Sequence, residues 1–169
     1  MKKILIFSVT GLLLFLAHIL PAWSDQTIYL IRHAEKISDG SADPPLSTAG
    51  RQRAEWYARY FAGKELSAIY STDLKRTRET AGPTARATGL EIKYYSPRNL
   101  PDFAREISSA SGPVLVVGHS NTTPNLAGFL TNREIAELHD GQYDRIFVVS
   151  INKEGTARLH VDLSDPHTD

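Results

Sequence analysis

Cysteine is absent from this chain of 169 residues. Its absence excludes a disulfide framework, a lipoprotein attachment site, a thiolate metal site and a cysteine nucleophile. The chain also lacks a Pro/Gly/Ser-rich linker, an internal repeat and a low-complexity segment. A sequence of this length without such interruptions predicts one domain that buries one substantial hydrophobic core.

The first 24 residues have the pattern of a secretory leader. Two lysines precede an uncharged apolar run from Ile4 to Leu20, and the small residues Ala22 and Ser24 occupy the two positions that a signal peptidase reads. We expect residues 1–24 to be a signal peptide cleaved after Ser24, and the mature chain to be periplasmic or secreted. An uncleaved membrane anchor is the alternative, although the apolar run is shorter than the ~20 residues that span a bilayer.

Basic and acidic residues occur in nearly equal numbers. When the two lysines of the leader are set aside, 17 of the 19 basic residues remain against 19 acidic ones, a net charge of −2. This balance gives no electrostatic footprint for nucleic acid or for an anionic membrane. We therefore expect a small substrate, no nucleic-acid partner and no stable membrane association after cleavage.

The remaining sequence alternates between strand-like and helical patterns. Apolar runs at residues 27–31, 68–71, 91–95 and 114–117 are separated by helical segments, which predicts a parallel sheet covered on both faces. Residues 145–152 and 156–163 flank a turn and add an antiparallel hairpin. The expected fold is a three-layer α/β/α sandwich with a mostly parallel central sheet and an antiparallel C-terminal edge hairpin. It occupies residues 25–163, and residues 164–169 form a polar tail.

Periodicity and breaker residues predict the helices. The first helix is predicted to end at Gly63 and to have an apolar stripe on one side and charged residues on the other. The stripe is Ala54, Tyr57, Ala58 and Phe61, and the charged side is Arg51, Arg53, Glu55 and Arg59. A second helix is predicted from about Asp73 to Gly89, with an interruption at Gly82-Pro83. Pro101 and Pro124 are typical first-turn residues of two further short helices.

Charged and imidazole side chains follow three of the strands directly. The first strand leads into Arg32 and His33, the second is followed by Arg76, and the fourth by His119. Because ligands of open α/β sheets bind beyond the carboxyl ends of the strands, we expect these side chains to meet at one edge. Arginine offers a permanent charge and a planar fork for phosphate oxygens, and neutral imidazole is a competent nucleophile. The pattern predicts a site for phosphoryl transfer, which depends mainly on positioning and charge stabilisation.

The segments around these residues resemble the histidine phosphatase superfamily, also called phosphoglycerate mutase-like. LIRHAEK is similar to its RHG signature, YSTDLKRTRETA to its second-arginine motif and VVGHSNTTP to its second-histidine motif. The resemblance implies that His33 becomes phosphorylated and that water then hydrolyses the phosphohistidine, without a metal or organic cofactor. It also implies that Arg32, Arg76 and His119 bind the transferred group. Ala34 replaces the usual glycine of the signature, which is tolerable where φ is negative.

Asp102 is our candidate for the general acid that protonates the leaving oxygen. In the family, the mutase-like branch takes a glutamate from an insertion that this chain lacks, and the phytase-like branch has aspartate where this chain has Ser120. Asp102 follows the third strand and opens a helix at the active edge, from which its side chain can reach the leaving group. Capping of that helix beside Pro101 is the alternative role.

Three further residues are candidates for substrate binding. Asn121 follows the second histidine and either touches the ligand or satisfies local backbone groups. Lys36 lies in the loop after the nucleophile, where it can line the substrate entrance. Arg98 lies in the loop after the third strand and either grips a second anionic group or is simply solvated.

The expected function is that of an exported phosphomonoesterase, a histidine (acid-type) phosphatase acting on a small phosphorylated substrate through phospho-His33. Export disfavours two roles of the family, glycolytic phosphoglycerate mutation and dephosphorylation of cytosolic phosphohistidine proteins. The small exported members include a lipopolysaccharide-core heptose phosphatase, so the resemblance points to an envelope sugar phosphate. A non-catalytic phospho-ligand binding protein of the same fold and a membrane-anchored phosphatase are the two alternatives.

Overall fold

The computed structural model describes residues 26–168, so the predicted signal peptide lies outside the described residues. The elements are, in chain order, β1 (Gln26–Arg32), α1 (Thr48–Phe61), β2 (Ala68–Ser71), α2 (Lys75–Thr88), β3 (Ile92–Tyr94), α3 (Leu100–Ser108), β4 (Val114–Gly118), α4 (Thr122–Thr131), β5 (Arg145–Ile151) and β6 (Ala157–Leu163). Within residues 26–168, none of these helices has both the length and the apolar character needed to cross a membrane.

All six strands form one sheet with the order β3-β2-β4-β1-β5-β6. The pairs β2·β3, β2·β4 and β1·β4 are parallel, whereas β5 pairs antiparallel with β1 and β6 pairs antiparallel with β5. The parallel strands thus bring the carboxyl ends of β1, β2 and β4 to one edge. The predicted mostly parallel sheet with its C-terminal edge hairpin is confirmed.

Helices cover both faces of this sheet. Apolar side chains of α3 and α4 pack on one face and those of α1 and α2 on the other. Along β1, Ile28 and Leu30 contribute to the first of these clusters, while Tyr29 and Ile31 contribute to the second. Because successive strand residues point to opposite faces and both faces are buried, β1 consists of a continuous apolar run. The three-layer arrangement agrees with the prediction.

Helix α1 begins at the cap residue Ser47, whose hydroxyl accepts a hydrogen bond from the backbone N–H of Gly50. Its predicted apolar stripe is buried, but Arg53, which the periodicity places on the charged side, is buried as well. The Arg53 side chain is 0% exposed, and its guanidinium binds the Glu35 carboxylate at 2.7 Å. A buried charge is tolerable when it is paired in this way, and helical periodicity does not reveal such a partner.

The predicted interruption of α2 at Gly82-Pro83 is wrong. The helix runs without a break through Pro83 to Thr88, and its C-cap is Gly89, whose φ of 71° is the left-handed conformation typical of a helix C-terminus. Proline cannot donate the hydrogen bond of its turn. The Pro83 ring is buried on the side of α2 that faces the protein interior, and this burial offsets the missing bond. Pro101 and Pro124 lie in the first turns of α3 and α4, as predicted.

The residues after β6 lie against the domain. Ser164 is fully buried, and its hydroxyl accepts from Arg53 Nη1 at 2.6 Å. The backbone N–H of Thr168 donates to Asp144 Oδ2 at 3.0 Å, and the Thr168 hydroxyl accepts from the backbone N–H of Tyr143 at 3.0 Å. These bonds fasten residues 164–168 beside the segment that leads into β5.

Candidate active site

The ends of β1 and β4 bring the two histidines together. Arg32 is in register with Gly118, and the backbone N–H of His33 donates to the Gly118 carbonyl at 2.9 Å. The imidazole rings of His33 and His119 lie edge to face with centroids 5.5 Å apart. Parallel pairing of two strands that are distant in sequence thus places one imidazole beside the other.

His33 is held as a neutral imidazole, and no residue in the range 26–168 forms a hydrogen bond with its Nε2. Its Nδ1 lies 2.8 Å from the carbonyl oxygen of Ala34, and a carbonyl only accepts, so Nδ1 carries the proton. Burial, with smaller contributions from the neighbouring His119, Arg32 and Arg76, lowers the pKa of His33 to about 3, against the opposing effect of the Ala34 carbonyl. The neutral form is the one that can act as a nucleophile.

Arg32 is held by the loop that precedes β5. Its Nη1 donates to the carbonyl oxygens of His139, Asp140 and Gln142 at 2.8, 3.1 and 3.0 Å. The guanidinium carbon lies 4.1 Å from the ring centroid of Tyr143, a cation–π contact. Arg32 is 5% exposed, and among the described residues its Nε–H has no hydrogen-bond partner. The Nη1 end of the Arg32 guanidinium is therefore fixed, while its buried Nε–H remains available as a donor.

Arg76 enters the site from the first turn of α2. Its side chain is 17% exposed, and its Nη1 lies 3.6 Å from Asp43 Oδ1. Asp43 also accepts the backbone N–H of Lys75 at 2.9 Å. Within residues 26–168, the Nε–H of Arg76 is likewise buried without a partner. Because α2 and α4 both begin at the carboxyl edge of parallel strands, their N-terminal dipoles also favour an anion there.

His119 is held by a pair of threonines. Its Nε2 lies 2.9 Å from the hydroxyl of Thr72, which follows β2, and Thr72 lies 3.0 Å from the hydroxyl of Thr77 in α2. The backbone N–H of His119 donates to Thr122 at 2.9 Å. Burial, together with the charges of Arg76 and Arg32, lowers the pKa of His119 to about 4. His119 is therefore also neutral at neutral pH.

Ala34, which stands where the family signature has glycine, adopts an ordinary backbone conformation. In the described part of the chain, only Glu65 and Asn132 are non-glycine residues with positive φ. The Ala34 side chain is fully buried, and its N–H donates to Thr80 at 2.9 Å. The methyl group is accommodated beside His33 without strain in φ.

The other predicted site residues lie at the rim of the site or apart from it. Asp102 pairs with Arg105 on the exposed side of α3 and accepts from Asn99 at 2.6 Å. Asn121 is the cap residue of α4, and its Oδ1 accepts from the Thr122 backbone. The side chains of Lys36 and Arg98 are exposed. The structure thus brings together His33, His119, Arg32 and Arg76, and it places Asp102 in a surface ion pair.

Sequence reasoning missed four residues that border the site. Asp43 contacts Arg76. The ring of Tyr143 packs against Arg32 and lies 6.1 Å from the ring of His33. The Thr72 hydroxyl contacts His119 and also forms a hydrogen bond with the Thr77 hydroxyl. Thr72 lies inside a recognised motif, so its position next to the strand end was a usable signal. Asp43 and Tyr143 lie in irregular loops, where periodicity carries no information.

The family model that describes the histidine phosphatase superfamily (branch 1) matches residues 28–96. Among curated proteins, the probable phosphoglycerate mutase GpmB of Escherichia coli (strain K12 / DH10B) is 37% identical over 75 residues. This match covers 41% of this chain and 35% of the relative. The chain therefore spans about a third of the length of the curated relatives that it matches.

Solved structures with this fold include two phosphatases. One is the mycobacterial glucosyl-3-phosphoglycerate phosphatase Rv2419c in complex with inorganic phosphate, with a TM-score of 0.64 at 16% identity over 81% of this chain and 95% of that one. The other is the protein histidine phosphatase SixA complexed with tungstate, with a TM-score of 0.63 at 16% identity over 82% of this chain and 96% of that one. At these identities the likeness shows the fold alone.

Proposed function

We propose that this chain is an exported phosphomonoesterase. Its resemblance to the histidine phosphatase superfamily is confirmed over residues 28–96, and it shares its fold with two phosphatases. In this proposal it hydrolyses a small phosphate ester through a phosphohistidine on His33, and it requires no metal or organic cofactor. An envelope sugar phosphate is the proposed substrate class.

One observation carries the proposal. The Nε2 lone pair of a buried, neutral His33 lies beside two arginines whose Nε–H groups are buried and, in the described part of the chain, have no hydrogen-bond partner. Buried donors in folded proteins are normally satisfied, and phosphate oxygens accept such bonds well. A phosphoryl group between Arg32, Arg76 and His33 would complete these interactions and lie within reach of the nucleophile.

The proposed reaction has two steps. Nε2 of His33 attacks phosphorus, an N–P bond forms, and the bond between phosphorus and the ester oxygen breaks as that oxygen takes up a proton. Water then attacks the phosphorus and gives a proton back to the group that protonated the ester oxygen, the N–P bond breaks, and inorganic phosphate leaves. The arginines stabilise the charge of the phosphoryl oxygens in both steps, and loss of one such donor costs about 10²–10³ in rate in other enzymes.

Two carboxylates are candidates for the acid that supplies the proton. Asp102 is the candidate that the sequence favours, but its exposed pair with Arg105 must break before it can act. Asp43 also contacts an arginine, but this arginine is Arg76, 3.6 Å away, which in this proposal holds the phosphoryl group. The Asp43 carboxylate would therefore lie close to the bond that breaks. We propose that Asp43 is the better placed of the two, and variants of both residues test this.

The decisive experiment is hydrolysis of p-nitrophenyl phosphate and a panel of sugar phosphates by residues 25–169 in the presence of a chelator. We expect turnover in the wild type and a loss of about 10³-fold or more in His33→Ala. His160→Ala is the matched control because His160 is an exposed histidine on the edge strand β6. A phosphoryl adduct trapped at alkaline pH and mapped by mass spectrometry to His33 would identify the intermediate.

Other outcomes would select the alternatives. Tight phosphate binding without turnover would favour the non-catalytic binding protein, and activity that survives His33→Ala would refute the phosphohistidine route. For export, the mass of the full-length protein after expression is the test. Loss of residues 1–24 supports a cleaved leader, and an intact N-terminus supports the membrane anchor.

A further inference from the structure

The hydrogen bonds behind His119 form a closed set. His119 Nε2 lies 2.9 Å from Thr72 Oγ1, and Thr72 Oγ1 lies 3.0 Å from Thr77 Oγ1. Thr77 Oγ1 in turn lies 2.7 Å from the carbonyl oxygen of Thr72 and 2.9 Å from that of Leu74. Thr72 and Thr77 are 2% and 0% exposed, so the two hydroxyls depend on these partners.

Counting hydrogens along this set fixes the position of each proton. A hydroxyl has one hydrogen, and a carbonyl only accepts. If Thr77 donated to Thr72 Oγ1, its lone pairs would face both carbonyl oxygens at 2.7 and 2.9 Å with no hydrogen between them. Thr77 therefore donates to one of the two carbonyls, and its oxygen accepts from Thr72. Because the hydrogen of Thr72 is then used, the Thr72 oxygen must accept from His119 Nε2–H. The neutral imidazole carries its proton on Nε2, and Nδ1 keeps a lone pair.

This arrangement matters because His119 is expected to contact the phosphoryl group. No residue in the range 26–168 forms a hydrogen bond with His119 Nδ1. An unprotonated Nδ1 would face a phosphate oxygen with two lone pairs opposed, whereas a protonated Nδ1 would donate a charge-assisted hydrogen bond. The bound anion thus favours a second proton on this imidazole.

We propose that Thr72 and Thr77 are positioning residues that hold His119 as the Nε2–H tautomer, so that binding of a phosphate group draws one proton onto Nδ1. The proposal rests on the proposed function, in which His119 meets the phosphoryl group. It makes phosphate binding and proton uptake one coupled event.

The surroundings of His119 support this coupling. In the empty site, burial and the charges of Arg76 and Arg32 keep the imidazole neutral. A phosphate dianion offsets those positive charges and favours the charged imidazole instead. The charged or titratable groups that act on the His119 ring are His33, Arg76 and Arg32. Asp43 contacts Arg76, Tyr143 contacts Arg32 and His33, and Tyr95 contacts Thr122.

The first test is the tautomer in the empty protein, read from ¹⁵N shifts of labelled histidine at neutral pH. We expect Nε2–H in the wild type. Thr77→Val removes the acceptor of Thr72 without touching His119, so Thr72 can donate to Nε2 and the imidazole proton should move to Nδ1. Thr77→Ser keeps the hydroxyl and should keep the wild-type spectrum. An Nδ1–H tautomer in the wild type, or an unchanged tautomer in folded Thr77→Val, would overturn the proposal.

The second test is calorimetric titration with tungstate, an oxyanion that carries no proton at neutral pH, in buffers of different ionisation enthalpy. We expect uptake of about one proton on binding in the wild type and in Thr77→Ser, and clearly less in Thr77→Val. Binding to the wild type without proton uptake would overturn the coupling. Absence of tungstate binding would count against the proposed function, and the ¹⁵N spectrum would still decide the tautomer.

Discussion

Replacing Arg53 by methionine should destabilise the protein strongly. The Arg53 side chain is 0% exposed, and its guanidinium donates to the Glu35 carboxylate, the Ser164 hydroxyl and the Pro166 carbonyl. Removal of one member of a buried ion pair costs about 3–5 kcal/mol, because the remaining charge is left without its partner. Glu35 keeps 20% of its side-chain surface exposed, so water partly compensates it and the lower limit, about 3 kcal/mol, applies.

The reciprocal substitution should cost more. Glu35→Gln leaves the guanidinium charged in a fully buried position, because arginine does not deprotonate in proteins. We therefore expect Glu35→Gln to be more destabilising than Arg53→Met, and the double variant to recover part of the loss. Arg59→Met is the control, since Arg59 is exposed on the same helix and should change stability by less than about 0.5 kcal/mol.

Urea unfolding followed by circular dichroism measures these differences. A loss of about 3 kcal/mol corresponds to a decrease of about 10 °C in the melting temperature for a domain of this size. Activity towards p-nitrophenyl phosphate at a temperature where the variant is folded gives a second readout, because Glu35 lies two residues from His33, the proposed nucleophile. If the free energy of unfolding of Arg53→Met lies within about 1 kcal/mol of the wild-type value, the reasoning that the buried Arg53–Glu35 pair cannot lose one member without a large cost is refuted.

Further predictions concern pH, the acid and one close contact. In the folded protein the pKa values of His33 and His119 are lowered to about 3 and about 4. Below about pH 6.5 the unfolded chain therefore binds more protons than the folded protein, and the urea midpoint should fall as the pH is lowered. Replacing both histidines by glutamine should flatten this pH dependence. Asp43→Asn should slow the hydrolysis of alkyl phosphates far more than that of p-nitrophenyl phosphate. Equal losses of rate for the two substrates, or a larger selective loss in Asp102→Asn, would reject Asp43 as the acid. Gly50→Ala would place Cβ 2.0 Å from the Glu35 carbonyl oxygen, so it should lower the free energy of unfolding by about 3 kcal/mol or more. Gly63→Ala is the control, because nothing lies within 4 Å of its Cβ, and its urea unfolding should match that of the wild type.

Elements with strong local signals could be predicted from the sequence. The apolar run of β1 and the stripe of α1 required burial on particular faces, and Gly89 and the hairpin turn supplied endings with a known backbone conformation. The polar residues directly after β1 and β4 could be assigned to one edge because parallel strands share it. Local signals failed at Pro83 and Arg53, where burial and a distant partner outweighed the preferences of the helix.

The sequence by itself determined the class of fold and the sheet edge at which the side chains of Arg32, His33, Arg76 and His119 meet. Only the tertiary structure decided which atoms of these side chains remain available. The Ala34 carbonyl leaves Nε2 of His33 free, the loop before β5 occupies one end of Arg32, and a threonine from another element engages Nε2 of His119. Such hydrogen bonds join residues far apart in the chain and follow no period in the sequence, so they exist only once the strands and loops are assembled.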